Sequence, residues 1–149
     1  MPEIYLSEPK HLLSSRDIIH AHPYLQERWP RLVRLFQDET GRDLLITCSW
    51  RSPREQMRLY QIGRTVPGPI VTHKDGQTPT TRSLHNVYPS RAIDVAVDID
   101  PNLEKVVVSW NEEFYRPLVN ICHKLNLISG GSWQKFRDWP HIQMPTEIA

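Results

Sequence analysis

The chain has 149 residues, a hydrophobic fraction of 39% and a formal net charge of +1. That length fits one domain, spanning 1–149, with a core that needs no covalent staples. The near-zero charge gives no basic signature for nucleic acid, and no stretch approaches the roughly 18 apolar residues of a membrane helix.

The opening run MPEIYLSEPK has neither a basic flank nor an apolar core. It does not read as a signal peptide, so synthesis in the cytoplasm is expected, with another agent releasing the protein if it acts elsewhere. Residues 1–14 read as an irregular arm, and Ser14, Ser15 and Asp17 then offer helix caps before Ile18 and Ile19. From Tyr24 to Glu39, Leu25, Trp29, Leu32, Leu35 and Phe36 recur at helical spacing. Pro30 is expected to kink or restart that helix, and Gly41 to stop it.

Leu44 to Trp50 reads as a strand entering the core. Ser52-Pro53-Arg54-Glu55 combines a capping box with proline at the first helical position, so a helix runs from here to about Gly63. Arg51 therefore lies at a junction of strand and helix. Cys48 and Cys122 sit among apolar neighbours with no partner at metal-site spacing, and read as buried free thiols.

Residues 63–82 are rich in Pro, Gly, Thr and charge, and a loop this long predicts the wall of a binding cleft. Ala92 to Ile99 alternates: Ile93, Val95, Val97 and Ile99 share one face, with Ala92, Asp94, Ala96 and Asp98 on the other. Ser109 with Glu112 suggests a second capping box. The helix that follows carries Phe114, Leu118, Ile121, Cys122 and Leu125 on one side and reaches Asn126, kinked at Pro117 unless it begins later. Leu127–Trp133 and His141–Met144 read as short strands. Trp133, Phe136 and Trp139 are assigned to the core in preference to a substrate platform. His11, His20, His22, His73 and His123 carry no ligand pattern, although His73 lies in the cleft loop.

Chemistry concentrates in two runs. Ser83–Asp98, SLHNVYPSRAIDVAVD, places a histidine in a loop ahead of carboxylates on a strand. Gly130–Met144, GGSWQKFRDWPHIQM, sets Asp138 three residues before His141. A catalytic zinc takes three ligands from such side chains and keeps one position for water, with a nearby carboxylate as base. The spacing alone also suits a capping aspartate and a histidine satisfied by the backbone, and a surface pair of Arg51 with Glu55 is the plainer alternative for that arginine.

The order of motifs resembles a family of zinc peptidases. Ser83-Leu84-His85 with Ala92-Ile93-Asp94 is similar to its Ser-x-His…Ala-x-Asp pattern. Gly130-Gly131-Ser132-Trp133 through Asp138-Trp139-Pro140-His141 resembles its Gly-Gly-x-Trp…Asp-x-Pro-His ending. Ser49-Trp50-Arg51-Ser52-Pro53 with Gln56 and Tyr60 resembles its Tyr-Arg-Ser-Pro-x-x-Gln helix start. Gly63-Arg64-Thr65, Pro67-Gly68 and Ile70-Val71-Thr72 are similar to a loop of its bacteriophage branch. The family is that of VanY-like D-Ala-D-Ala carboxypeptidases and endolysin-type L-alanyl-D-glutamate endopeptidases.

The resemblance implies an α+β fold of the hedgehog/DD-peptidase-like kind, a small antiparallel sheet with flanking helices. It implies one Zn2+ held by His85, Asp94 and His141, with Asp138 as general base and then acid, and Arg51 stabilising the oxyanion. Ser83 would donate a hydrogen bond to the first ligand or to a substrate carboxylate. The expected reaction is hydrolysis of a peptidoglycan stem peptide at the L-alanyl-D-glutamate bond by a monomer acting on the wall after release. A D-Ala-D-Ala carboxypeptidase, or an inactive zinc-ordered cell-wall binding module, is the alternative. Three departures stand out: eight residues instead of the usual six separate His85 from Asp94, Ser90 stands at a common glycine, and Ser132 stands at a common aspartate. The longer spacing leaves Asp98, on the same strand face, as a second candidate for the carboxylate ligand.

Overall fold

The computed structural model describes residues 8–149. The first half of the expected N-terminal arm, and with it the signal-peptide reading, lies outside the described residues. Residues 8–14 are irregular, except that Ser14 bridges to Arg51.

Helix α1 spans Pro23–Thr40 and α2 spans Pro53–Gln61. His22 caps α1 by accepting from the Tyr24 amide, and Gly41 ends it in the left-handed conformation at φ 70°. Pro30 neither breaks nor restarts α1, which runs on through it. Pro30 is on the exposed side, so the carbonyl that loses its donor is near water. Ser52 caps α2 by accepting from the Glu55 amide, with Pro53 in the first turn, but the other half of the expected capping box is not formed: the Ser52 amide donates to the Leu13 carbonyl and the Glu55 carboxylate pairs with Arg58.

Five strands form one antiparallel sheet: β1 Asp43–Cys48, β2 Ala92–Asp98, β3 Val108–Ser109, β4 Ile128–Ser129 and β5 His141–Gln143. The order is β1-β2-β5-β4. β1 lines one edge of β2, while β5 pairs with Ala92–Asp94 and β3 with Val97–Asp98. Helix α3 spans Pro117–Lys124, so Pro117 starts it and does not kink it. Ser109 does not cap a helix. It ends β3, a strand the sequence reading missed, and its hydroxyl accepts from Asn111. The expected strand at Leu127–Trp133 is only two residues of β4, followed by a 3-10 turn at Gly130–Ser132.

Ile93, Val95 and Val97 on one face of β2 pack with Leu25, Leu32 and Phe36 of α1 and with Leu118, Ile121 and Cys122 of α3. The second face of β2 is not given over to solvent: Ala92, Ala96 and Asp98 are buried there too. Asp94 keeps 22% of its side chain exposed on that face. No helix among the described residues is long and apolar enough to cross a membrane.

The short β3 is fastened by Tyr115, whose hydroxyl accepts from the Val97 amide at 3.1 Å and donates to the Ser109 carbonyl at 2.6 Å. Tyr115→Phe strands the buried Val97 amide and the half-buried Ser109 carbonyl and is expected to cost about 1–3 kcal/mol, read as a lower urea midpoint at unchanged m-value.

Candidate active site on the second face of the sheet

Register places the reactive groups. Cys48, Asp94 and His141 are direct cross-strand neighbours on β1, β2 and β5. A bulge between Ile46 and Cys48 shifts β1 by one residue. Simple alternation from Leu44 would aim Cys48 into the core; the bulge turns it onto the face of Asp94. His85 reaches this row from the loop above. The loop is tied down where the Arg51 amide donates to the His85 carbonyl at 2.8 Å and Asn86 Nδ2 donates to the Arg51 carbonyl at 3.0 Å.

His85 Nε2 lies 3.3 Å from Asp94 Oδ1, and His141 Nδ1 lies 3.4 Å from the same oxygen. The two rings are 5.3 Å apart, centroid to centroid. The remaining ring nitrogens are committed to acceptors. His85 Nδ1 donates to the Ser49 carbonyl at 2.8 Å, and His141 Nε2 donates to Gln143 Oε1 at 2.9 Å. Each imidazole in its neutral form then turns an unprotonated nitrogen toward Asp94. His85 Nε2 and Asp94 Oδ1 are buried without a hydrogen-bond partner among the described residues.

That pattern fits a divalent cation. Two ligands each about 2.0–2.1 Å from a tetrahedral ion sit roughly 3.3 Å apart, as both nitrogens do from Asp94 Oδ1. Two sets of potential donors converge to within 4.8 Å, Cys48/His85/Asp94 and Asp94/Asp138/His141, and Asp94 belongs to both. Neither set contains both imidazoles, so one ion held by His85, Asp94 and His141 together requires the two ring nitrogens to draw closer than they stand here. Asp98 is elsewhere: its Oδ1 accepts from the amides of Asp100 and Val107 in the turn after β2. Asp98 belongs to neither donor set, whereas Asp94 belongs to both.

Arg51 does not pair with Glu55, which is taken by Arg58. Its guanidinium donates to Gln56 Oε1 at 3.0 Å and lies 3.6 Å from Asp94 Oδ2. Gln56, buried on α2, also donates to the Lys74 carbonyl and to Thr72 Oγ1, so a single amide joins Arg51 to the 63–82 loop. Ser83 does not donate to the His85 ring, whose Nδ1 is engaged by Ser49; its hydroxyl accepts from the His85 backbone amide at 3.3 Å. Ser83 still lines the cleft.

Asp138 is brought to the site by close backbone contact. Its amide donates to the Gly130 carbonyl at 3.1 Å, and its carbonyl accepts from His141. A Cβ on Gly130 would stand 2.1 Å from the Asp138 carbonyl oxygen, and one on Gly131 would stand 2.4 Å from the Trp139 ring. The Gly-Gly pair is therefore demanded by the approach of this segment. Trp139 packs against the core, as expected, but Phe136 does not: it is 78% exposed, at φ 53°, with its ring 5.2 Å from that of His73.

The resulting cleft has a volume of about 740 Å³, with Arg51, His85, Asp94, Asp138 and His141 among its lining and the 71–74 loop as one wall. A hollow of similar volume, about 730 Å³, beside β1 has only Arg16 and Asp17 as charged lining and no comparable cluster.

Burial pushes the His85 imidazole down, but the adjacent Asp94 carboxylate outweighs it and raises the pKa to about 10. Burial pushes Asp94 up, and His85 followed by His141 holds it well below the usual carboxylate range. Asp138 is shifted upward, first by loss of hydration in the cleft and then by the Asp94 charge, against the pull of His141, His85 and Arg51. Asp138 is an exposed residue, so water tempers that effect.

The chain is similar to known proteins. The family description of D-alanyl-D-alanine carboxypeptidase matches residues 76–144. The chain is 32% identical over 132 residues to the peptidoglycan L-alanyl-D-glutamate endopeptidase CwlK of Bacillus subtilis (strain 168), covering 83% of this chain and 72% of that protein. The chain belongs to this family of peptidases. The crystal structure of the Serratia marcescens L-Ala D-Glu endopeptidase ChiX shares the fold, at a TM-score of 0.58 and 22% identity over 89% of this chain and 86% of that one. The α+β architecture with an open antiparallel sheet is thus that of the family.

Two outcomes follow from the geometry. Gly130→Ala must displace the backbone at 138–141, so a fall in melting temperature and at least a tenfold loss of divalent-metal affinity are expected by calorimetry. A cation on His85 must displace the proton that its raised pKa retains. Affinity should therefore fall by up to about tenfold per unit as pH drops below that pKa, and titration in buffers of different ionisation enthalpy should count about one proton released.

Proposed function

We propose that this protein is a zinc-dependent peptidoglycan endopeptidase cutting the L-alanyl-D-glutamate bond of the stem peptide. The observation that carries the proposal is the convergence of His85 Nε2 and His141 Nδ1 on Asp94 Oδ1, with Asp138 beside them in an open cleft. The choice of bond is supported by CwlK, the relative named for that activity.

His85, Asp94 and His141 hold the zinc in this reading. When bound, the ion supplies Lewis acidity toward the scissile carbonyl and lowers the pKa of a water. Ser49 and Gln143 fix the two ring tautomers through the outer N–H groups. Asp138 takes a proton from the attacking water and returns it to the departing amine; its upward shift moves it toward the pKa such work requires. Arg51, braced by Gln56, offers a permanent charge to the oxygen on which negative charge builds. Ser83, on the cleft wall with its hydroxyl proton free, is assigned to the substrate. A bacteriophage endolysin role, with the protein reaching the wall after release, is the setting suggested by the loop at residues 63–72.

The experiment is digestion of purified cell walls followed by product analysis. New D-glutamyl amino termini are expected; release of free D-alanine would instead indicate a carboxypeptidase, the activity that names the family description matching residues 76–144. Asp138→Asn should retain metal while kcat falls by about 10²–10⁴-fold. His85→Ala should lose the metal itself, measured by elemental analysis of the purified protein. An Asp138→Asn protein that loses metal would make Asp138 a ligand and overturn the assignment.

A further inference from the structure

We propose that Lys74 and Arg137, on two loops of the cleft, form a subsite for a free carboxylate of the substrate beside the scissile bond. This rests on the peptidase reading above and extends it to the chemical form of wall peptide that is accepted.

The cleft lining carries three permanent cations, Arg51, Lys74 and Arg137, and two carboxylates, Asp94 and Asp138. Both carboxylates belong to the reactive cluster. Arg51 is held by Gln56 and Asp94. Lys74 and Arg137 have no carboxylate within 4.0 Å among the described residues. Lys74 Nζ makes one long contact, 3.4 Å to the Arg82 carbonyl. Arg137 spends only its Nε, on the Trp133 carbonyl at 2.8 Å, and its forked Nη groups are left without a protein acceptor among those residues. A guanidinium fork of that kind matches a carboxylate.

Both cations are exposed, and it is their backbones that the fold positions. Their chain neighbours His73 and Phe136 bring their rings to 5.2 Å, which draws the two loops together across the cleft. The Phe136 backbone is held at φ 53°, a conformation a bulky residue adopts only when its surroundings impose it. Lys74 is anchored through its own carbonyl to Gln56, the side chain that also holds Arg51, so the subsite is one amide group away from the reacting centre.

A stem peptide supplies the matching anion. D-glutamate joined onward through its γ-carboxyl keeps its α-carboxylate free, two bonds from the scissile nitrogen. Walls in which this group is an α-carboxamide present no charge there. A diamino acid at the third position can carry a further free carboxylate, and the two sources are separable.

The test compares L-Ala-γ-D-Glu-L-Lys with its α-carboxamide, and each with the version bearing diaminopimelate at the third position. The wild-type protein should favour the free α-carboxylate by roughly tenfold or more in kcat/KM, chiefly through KM. Lys74→Gln with Arg137→Gln should bring that ratio close to one, and Lys74→Arg should restore part of it. A preference that follows the third-position carboxylate keeps the subsite and reassigns its anion. Equal use of all peptides by the wild-type protein, or variants that slow charged and amidated peptides alike, would overturn the proposal. Should no peptide be cut, binding of the same set to the zinc-loaded Asp138→Asn protein decides: selective binding lost in the double variant retains the subsite while the endopeptidase reading falls, and unselective or absent binding removes the subsite.

Discussion

Asp94 is the residue on which the site depends. Its carboxylate meets two imidazoles on one oxygen and a guanidinium near the other, and it sits on the central strand of the sheet. That location matters physically. A side chain on an internal strand is fixed by ladders on both edges, so its position is known to within the stiffness of the sheet. His141 inherits this precision through direct pairing with Asp94, and Cys48 shares it from the other edge. His85 comes from a loop and needs other restraints, which the Ser49 carbonyl, the Arg51 amide and the Asn86 amide provide.

The two faces of the sheet divide the work. One buries Ile93, Val95 and Val97 against α1 and α3, a dry interface whose free energy comes from apolar burial. The opposite face collects polar groups, some without a protein partner, which cost about 1–3 kcal/mol each when left unsatisfied. A sheet can carry that penalty only because its other face supplies a surplus. The small residues Ala92 and Ala96 flanking Asp94 leave room for the imidazoles above it.

Much of this was legible in the sequence. The alternation from Ala92 to Ile99 assigns the carboxylates to one face, and the Ser52 capping box places Arg51 just ahead of α2, because both patterns are local. What was hidden depends on contacts between distant segments. The bulge before Cys48 inverts its facing, and nothing in the run from Leu44 marks where the extra residue falls. Phe136 looks like core by composition, yet it stands in solvent because the Gly130–Asp138 contact turns the intervening loop outward. Gln56 appeared only as one letter of a motif, and its buried bridging of Arg51 to Lys74 required the fold to be seen. Pro30 sounded a warning that the exposed side of α1 makes harmless.

The network around Gln56 links the wall of the cleft to its floor. Its carbonyl oxygen accepts from Arg51 and Asn86, while its amide nitrogen donates to Thr72 and Lys74. Asn86 in turn accepts the Ser83 amide and donates to the Arg51 carbonyl. Two buried side-chain amides thus join α2, the cleft loop and the His85 loop, with the oxygen and nitrogen of each engaged. Such a network resists replacement by apolar groups, since removing one member strands the others in a medium of low dielectric. It also means that a long loop, which would ordinarily be mobile, is referenced to the same atoms that orient Arg51. Displacement of that wall would therefore be felt at the Arg51 guanidinium through the one Gln56 amide that holds both.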